Sequence, residues 1–179
     1  AGRVLAEGGT VIGLCGGFQV LGKTILDPEG VESGASELEG LGLLDVVTSF
    51  ASKKITVGVT GVHLQTDCPV EGYEVHMGRT SLGEGATPLL EVQTTGETEK
   101  RQDGAVSADG KVLGTYVHGL FDAPSFRRLL LNRLRTVRGW SPLEPMPESS
   151  LDRELDRLAD FIEQHLDMAA VDAIIEQGV

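Results

Sequence analysis

Residues 11–17, Val-Ile-Gly-Leu-Cys-Gly-Gly, place a lone thiol between glycines at the point where an apolar run stops. Gly13-Leu14-Cys15-Gly16-Gly17 has the pattern of a nucleophile elbow, with cysteine in the place that serine takes in hydrolases. A nucleophile on a sharp strand-to-helix turn needs neighbours without side chains, so that the backbone folds tightly and substrate comes close. Cys15 is expected to point into a cleft. The N–H groups and dipole of the following helix favour a thiolate there, and the Gly16 N–H is the expected oxyanion donor.

Such a thiolate needs a partner to move protons. The candidate is His118, where the alternating β-rich run Val112-Leu113-Gly114-Thr115-Tyr116-Val117 ends and Gly119 opens a loop. Of the histidines His63, His76, His118 and His165, only His76 and His118 lie in short β-type segments closed by glycine. An isolated histidine is more often a hydrogen-bonded structural group than a catalytic one. The pairing with Cys15 is what singles out His118.

The elements that must position these residues are legible in outline. β-type runs near 10–14, 43–50, 55–64, 73–77, 89–93 and 112–117 alternate with glycine-rich turns. Residues 81–111 carry Gly83, Gly85, Gly96, Gly104 and Gly110 among polar side chains, a pattern of β-hairpins, with Asp109-Gly110 a strong turn. From Ala123 to about Arg138 a helical pattern sets Phe126, Leu129, Leu130, Leu134 and Val137 on one side, among five arginines. Residues 141–179 follow as a separate region: a proline-rich connector, a cap at Ser149 with Asp152 three positions on, and an amphipathic helix bearing Leu151, Leu155, Leu158, Ile162 and Leu166. This region holds ten acidic side chains against two arginines. A solvated outer face is the simplest account of that charge; packing on the arginine-bearing helix or on a partner domain is the alternative.

Five ordered segments carry a resemblance. Gly-Leu-Cys-Gly-Gly-Phe-Gln-Val-Leu-Gly (13–22), Asp-Pro-Glu-Gly (27–30), Gly-Leu-Gly-Leu-Leu (40–44), Gly-Tyr-Glu-Val-His-Met-Gly-Arg-Thr (72–80) and Gly-Thr-Tyr-Val-His-Gly-Leu-Phe-Asp (114–122) resemble the glutaminase domain of the cobyric acid synthases, over residues 1–140. These are class I glutamine amidotransferases, which hydrolyse glutamine through a cysteine thioester and send ammonia to a synthetase site. The resemblance implies an α/β, flavodoxin-like fold with a mostly parallel sheet and flanking helices. It implies Cys15 as nucleophile and His118 as base and then acid, with Gly16, Gly17, Gln19, His76 and Arg79 at the substrate: Gln19 on the amide group and Arg79 on the α-carboxylate, which suits a guanidinium fork. Glu74-Val75-His76 is a candidate lining of the same pocket, the alternative being a strand edge facing water. No cofactor or metal is expected in this domain. ATP and Mg belong to an upstream synthetase domain, whose substrate would be a corrinoid.

The pattern departs from the wider class at two points. Many class I members carry His-x-Glu, where the glutamate orients the imidazole; here that position is Leu120, which implies a Cys-His dyad with Glu74 or a backbone carbonyl as candidate orienting group. Residues 1–9 read as a helix end and a turn, so the first strands of the family's sheet, and the loop with its second oxyanion donor, are expected to be missing. An incomplete module that docks without catalysing is therefore a rival reading, and the glutaminase of a cell-wall lipid II amidating ligase shares the Cys-Gly-Gly and Gly-Arg-Thr features.

A second rival comes from Gly17-Phe18-Gln19-Val20-Leu21-Gly22-Lys23-Thr24, which fits the Walker A string letter for letter. Context opposes it, because a P-loop lysine opens a long helix and Asp27-Pro28-Glu29-Gly30 would end any helix soon after Thr24. Composition adds bounds. A chain of 179 residues with 40% apolar side chains and mean hydropathy near zero can bury one core. No run of eighteen apolar residues and no leader are visible, so a cytoplasmic place without membrane contact is expected. Cys68 reads as a buried or loop thiol rather than a bridge to Cys15. The net charge of −12 argues against nucleic acid as partner.

Overall fold

Short apolar runs punctuated by glycine fold residues 1–144 into two sheets and three helices. The computed structural model describes residues 1–144 and 151–178, in two compact units, Ala1–Pro145 and Met146–Val179. The first unit contains α1 (Gly2–Ala6), β1 (Val11–Leu14), α2 (Gly16–Leu21), β2 (Thr24–Leu26), β3 (Glu37–Glu39), β4 (Val46–His63), β5 (Cys68–Leu82), β6 (Ala86–Thr87) and β7 (Leu90–Thr94). It continues through β8 (Lys100–Asp103), β9 (Ala105–Ser107), β10 (Val112–Thr115), β11 (Val117–His118) and α3 (Pro124–Val137). The second unit contains α4 (Leu151–His165) and α5 (Met168–Gln177).

One sheet has the order β1-β10-β9-β6; the other runs β11-β5-β4-β2-β3, with β7 paired to β4 and β8 to β7. Among the described residues, parallel pairing is confined to β1 with β10 and β2 with β4. The other pairs are antiparallel. The fold is α/β with mixed sheets, which corrects the expected mostly parallel sheet. The reason lies in the connections: parallel neighbours need a crossover of a dozen or more residues, whereas the turns from β4 to β5 and β7 to β8 are short enough only for hairpins.

The two runs expected near 43–50 and 55–64 belong to the single strand β4, whose register against β5 shifts between Phe50 and Ile55. That irregularity lies at Ala51-Ser52-Lys53-Lys54, where the apolar alternation lapses.

Apolar burial in the first unit divides around α2 and α3. Phe18, Leu21, Leu44, Val46, Val112 and Tyr116 form one cluster around α2. Val59, Val70, Leu90, Val92, Val117, Leu120, Phe126 and Leu130 form a second, which α3 covers. Each fully buried side chain of this size contributes about 1.5–3 kcal/mol. Pro124 starts α3 with its φ already helical, and of the expected apolar face Phe126 and Leu130 are buried while Val137 is exposed.

The Asp-Pro-Glu-Gly segment has a local cause. Both Asp27 carboxylate oxygens accept backbone N–H groups, from Val31, Glu32 and Ser33, which close the loop before β3. In the second unit, Leu155, Leu158, Phe161, Ile162 and Leu166 are exposed, and Asp167 caps α5 by accepting from Ala170 N–H. Pro145, Pro147 and the expected Ser149 cap lie outside the described residues. No helix among the described residues is long and apolar enough to cross a membrane.

Candidate active site

The corner between β1 and α2 is held from both sides by contacts that only glycine permits. A side chain at Gly13 would run into the Gly17 backbone, and one at Gly114, its partner on β10, would run into the Phe18 ring. Strand and helix therefore approach closely. Cys15 turns the corner at φ 52° and ψ −114°, a left-handed conformation that L-residues rarely adopt. Its N–H donates to the Thr115 carbonyl at 2.9 Å. A side chain at Gly16 or Gly17 would meet nothing beyond the helix itself, so the approach over the corner is open.

The half-buried thiol of Cys15 lies 3.6 Å from the Val75 carbonyl oxygen on β5. His118 reaches the same stretch from the other direction: β11 pairs with β5 through Val117 opposite Glu74 and His118 opposite Tyr73. The imidazole stacks on Tyr73, and its Nε2 is buried without a hydrogen-bond partner among the described residues. Gly119 then turns the chain away at φ +75°.

Glu74 and His76 lie on the opposite face of β5. Glu74 is 1% exposed and accepts from Arg101 at 2.8 Å and from His76 Nε2 at 3.3 Å, while its Oε1 is unpaired. Burial pushes this carboxyl up, but the His76 hydrogen bond and the Arg101 charge outweigh it and hold the group below the usual glutamate range. Glu74 is thus neither a water-facing edge nor the group that orients His118. His76 stacks on Tyr116 with centroids 3.8 Å apart. Glu74, His76, the exposed Arg79, Arg101 and Tyr116 line one cavity of about 270 Å³.

Gln19 takes a more buried place than its expected contact with substrate requires. It is 7% exposed, and its amide donates to the Tyr116 hydroxyl, which also bonds Thr80. The structure therefore brings Cys15 and His118 to one stretch of β5, groups His76 with Arg79, and joins Gln19 to that group through Tyr116. Sequence reasoning passed over Tyr73, Tyr116 and Arg101. The two tyrosines stood inside the quoted segments, and Arg101 stood in a polar stretch with no distinguishing signal.

The remaining sequence features also have places. The Walker-like string forms the helix α2 and then the strand β2, with Lys23 ion-paired to Asp45 at 2.6 Å, so it is not a phosphate-wrapping loop. Cys15 and Cys68 are both free thiols, and burial pushes the Cys68 thiol up. Among the described residues, no group of three or more His, Cys, Asp or Glu is arranged to hold a metal ion.

The chain is 42% identical to a cobyric acid synthase of Limosilactobacillus reuteri, over 98% of this chain and 36% of that protein. It is 45% identical to a cobyric acid synthase of Bradyrhizobium diazoefficiens, over 90% of this chain and 32% of that protein. The chain thus spans about a third of the length of these curated relatives. A solved structure described as a glutamine amidotransferase aligns with a TM-score of 0.46 at 18% identity, over 76% of this chain and 65% of that one. The model of the CobB/CobQ-like glutamine amidotransferase domain matches residues 2–126, and the chain belongs to that family.

Proposed function

We propose that this chain is the glutaminase portion of an ATP-dependent amidotransferase. His118 takes the Cys15 thiol proton, the thiolate attacks the side-chain amide carbonyl of glutamine, and the oxyanion that forms rests on the Gly16 N–H. His118 gives a proton to the departing nitrogen; ammonia leaves and the acyl group remains on Sγ as a thioester. His118 then takes a proton from water as it attacks the thioester, and glutamate and the free thiol are released. Gly17 and Arg79 hold the substrate, Arg79 at its α-carboxylate; His76, whose ring nitrogens bond the Gly78 carbonyl and Glu74, backs the cavity beside Arg79, and Gln19 acts through the Tyr116 hydroxyl.

The observation that carries this reading is the left-handed corner at Cys15, whose thiol meets the same β5 stretch on which His118 is paired. The ammonia serves the rest of a longer protein, where ATP and Mg activate carboxylates of a corrinoid. The shared name of the relatives, cobyric acid synthase, supports that acceptor over a cell-wall precursor. We place the chain in the cytoplasm, where its two free thiols stay reduced.

The test is covalent trapping. The glutamine analogue 6-diazo-5-oxo-norleucine is expected to alkylate Cys15, and Cys15→Ala to abolish the label. Modification confined to Cys68 refutes the assignment.

A further inference from the structure

Thr115 is 0% exposed. Its carbonyl accepts the Cys15 N–H. Its hydroxyl donates to Asp103 Oδ2 and accepts the Val117 N–H at 3.0 Å. Asp103, itself 6% exposed, accepts the Tyr116 N–H on Oδ1 at 3.4 Å. These bonds sit where the chain changes sheets, because β10 pairs with β1 and β11 pairs with β5. The carboxylate is brought there by Gly104, which has φ +72° and packs its α-carbon against the Gly114 carbonyl where no side chain fits.

We infer that Asp103 and Thr115 are positioning residues, a buried carboxylate–hydroxyl clamp that fixes the Cys15 backbone relative to the strand carrying His118. The inference rests on reading Cys15 and His118 as the reacting pair. Thr115 has no exposed surface to offer substrate, and Asp103, which borders the cavity of His76 and Arg79, is only 6% exposed. Both act through the backbone at 15, 116 and 117, and a shift of that backbone changes the separation of thiol and imidazole without altering how glutamine is held. Small errors in such a separation are costly to rate.

The test uses the chain with 6-diazo-5-oxo-norleucine, following Cys15 alkylation to obtain kinact and KI separately. Thr115→Val keeps the shape and removes the hydroxyl; kinact is expected to fall about tenfold to a hundredfold, with KI unchanged within about twofold. Thr115→Ser, which restores the hydroxyl, is expected to recover most of the loss, and Asp103→Asn to show the same split as Thr115→Val. The 15N resonances of the His118 ring are expected to move in Thr115→Val and return in Thr115→Ser. Should Thr115→Val not fold, Asp103→Asn and Thr115→Ser decide the matter. Unaltered kinact in the folded variants, a loss confined to KI, or a serine variant as slow as the valine one overturns the clamp. A wild-type chain left unlabelled at Cys15 overturns the glutaminase reading itself, and the clamp's premise with it.

Discussion

The ring of Tyr73 lies flat against the imidazole of His118, with centroids 5.2 Å apart and planes 11° apart, on strands paired at those two residues. Tyr73 is 52% exposed, so the contact covers the histidine and adds little to the core. Removing the ring frees the imidazole to rotate. Tyr73→Ala is expected to slow Cys15 alkylation about tenfold through lost orientation, while Tyr73→Phe keeps the stack and the rate. Equal rates in wild type and Tyr73→Ala would show that the stack does not orient His118.

His118 itself has a sharper expectation. Its Nε2 is buried and unpartnered among the described residues, which fits a nitrogen that bonds only to a reacting group. His118→Ala is expected to slow thioester formation by about 10²–10⁴-fold, the usual cost of losing a general acid–base. Stopped-flow or quench measurement of acylation checks this, and an unchanged rate removes His118 from the mechanism.

The corner at Cys15 stores strain. A left-handed, non-glycine residue of this kind costs about 1–3 kcal/mol, and glycine adopts the same angles without penalty. Cys15→Gly is therefore expected to raise stability by about 1 kcal/mol while abolishing labelling. Urea denaturation measures the difference; a midpoint at or below that of wild type contradicts the strain.

Acid stability follows from Glu74. The His76 hydrogen bond and the Arg101 charge overcome the opposing effect of burial and hold its carboxyl below the ordinary glutamate value of 4.5. A carboxylate lowered on folding contributes stability that is present above its unfolded value and is lost as pH falls through the folded value. Glu74→Gln is expected to cost about 1–3 kcal/mol at neutral pH, since Arg101 loses the carboxylate charge it bonds. The gap between variant and wild type should narrow as pH drops below 4.5. A gap that stays constant through an acid series of urea melts would mean that Glu74 does not carry its charge in the folded chain.

The site was legible in the sequence where its cause is local. The glycines around Cys15 specify a corner within seven residues, and Gly119 marks the end of the His118 strand. What the sequence did not disclose depends on pairing between distant segments. Alternation in Glu74-Val75-His76 identifies two faces of a strand but not which face becomes covered, and it is the β7–β8 hairpin that brings Arg101 onto Glu74. Gln19 reads as a first-turn polar residue open to substrate, and only the placement of Tyr116, between β10 and β11, shows where its amide goes. Sheet direction differs from the expected one for the same reason. Connection lengths near β4 and β5 admit hairpins, and two long antiparallel strands outweigh the parallel pair beside Cys15.

Gly16 and Gly17 differ from Gly13 and Gly114 in one respect: a side chain at either would meet nothing in the folded chain. A library selected only for folding would accept larger residues at both positions and refuse them at Gly13 and Gly114. Selection for turnover would keep all four bare, and the discrepancy between the two screens would trace the outline of the incoming amide.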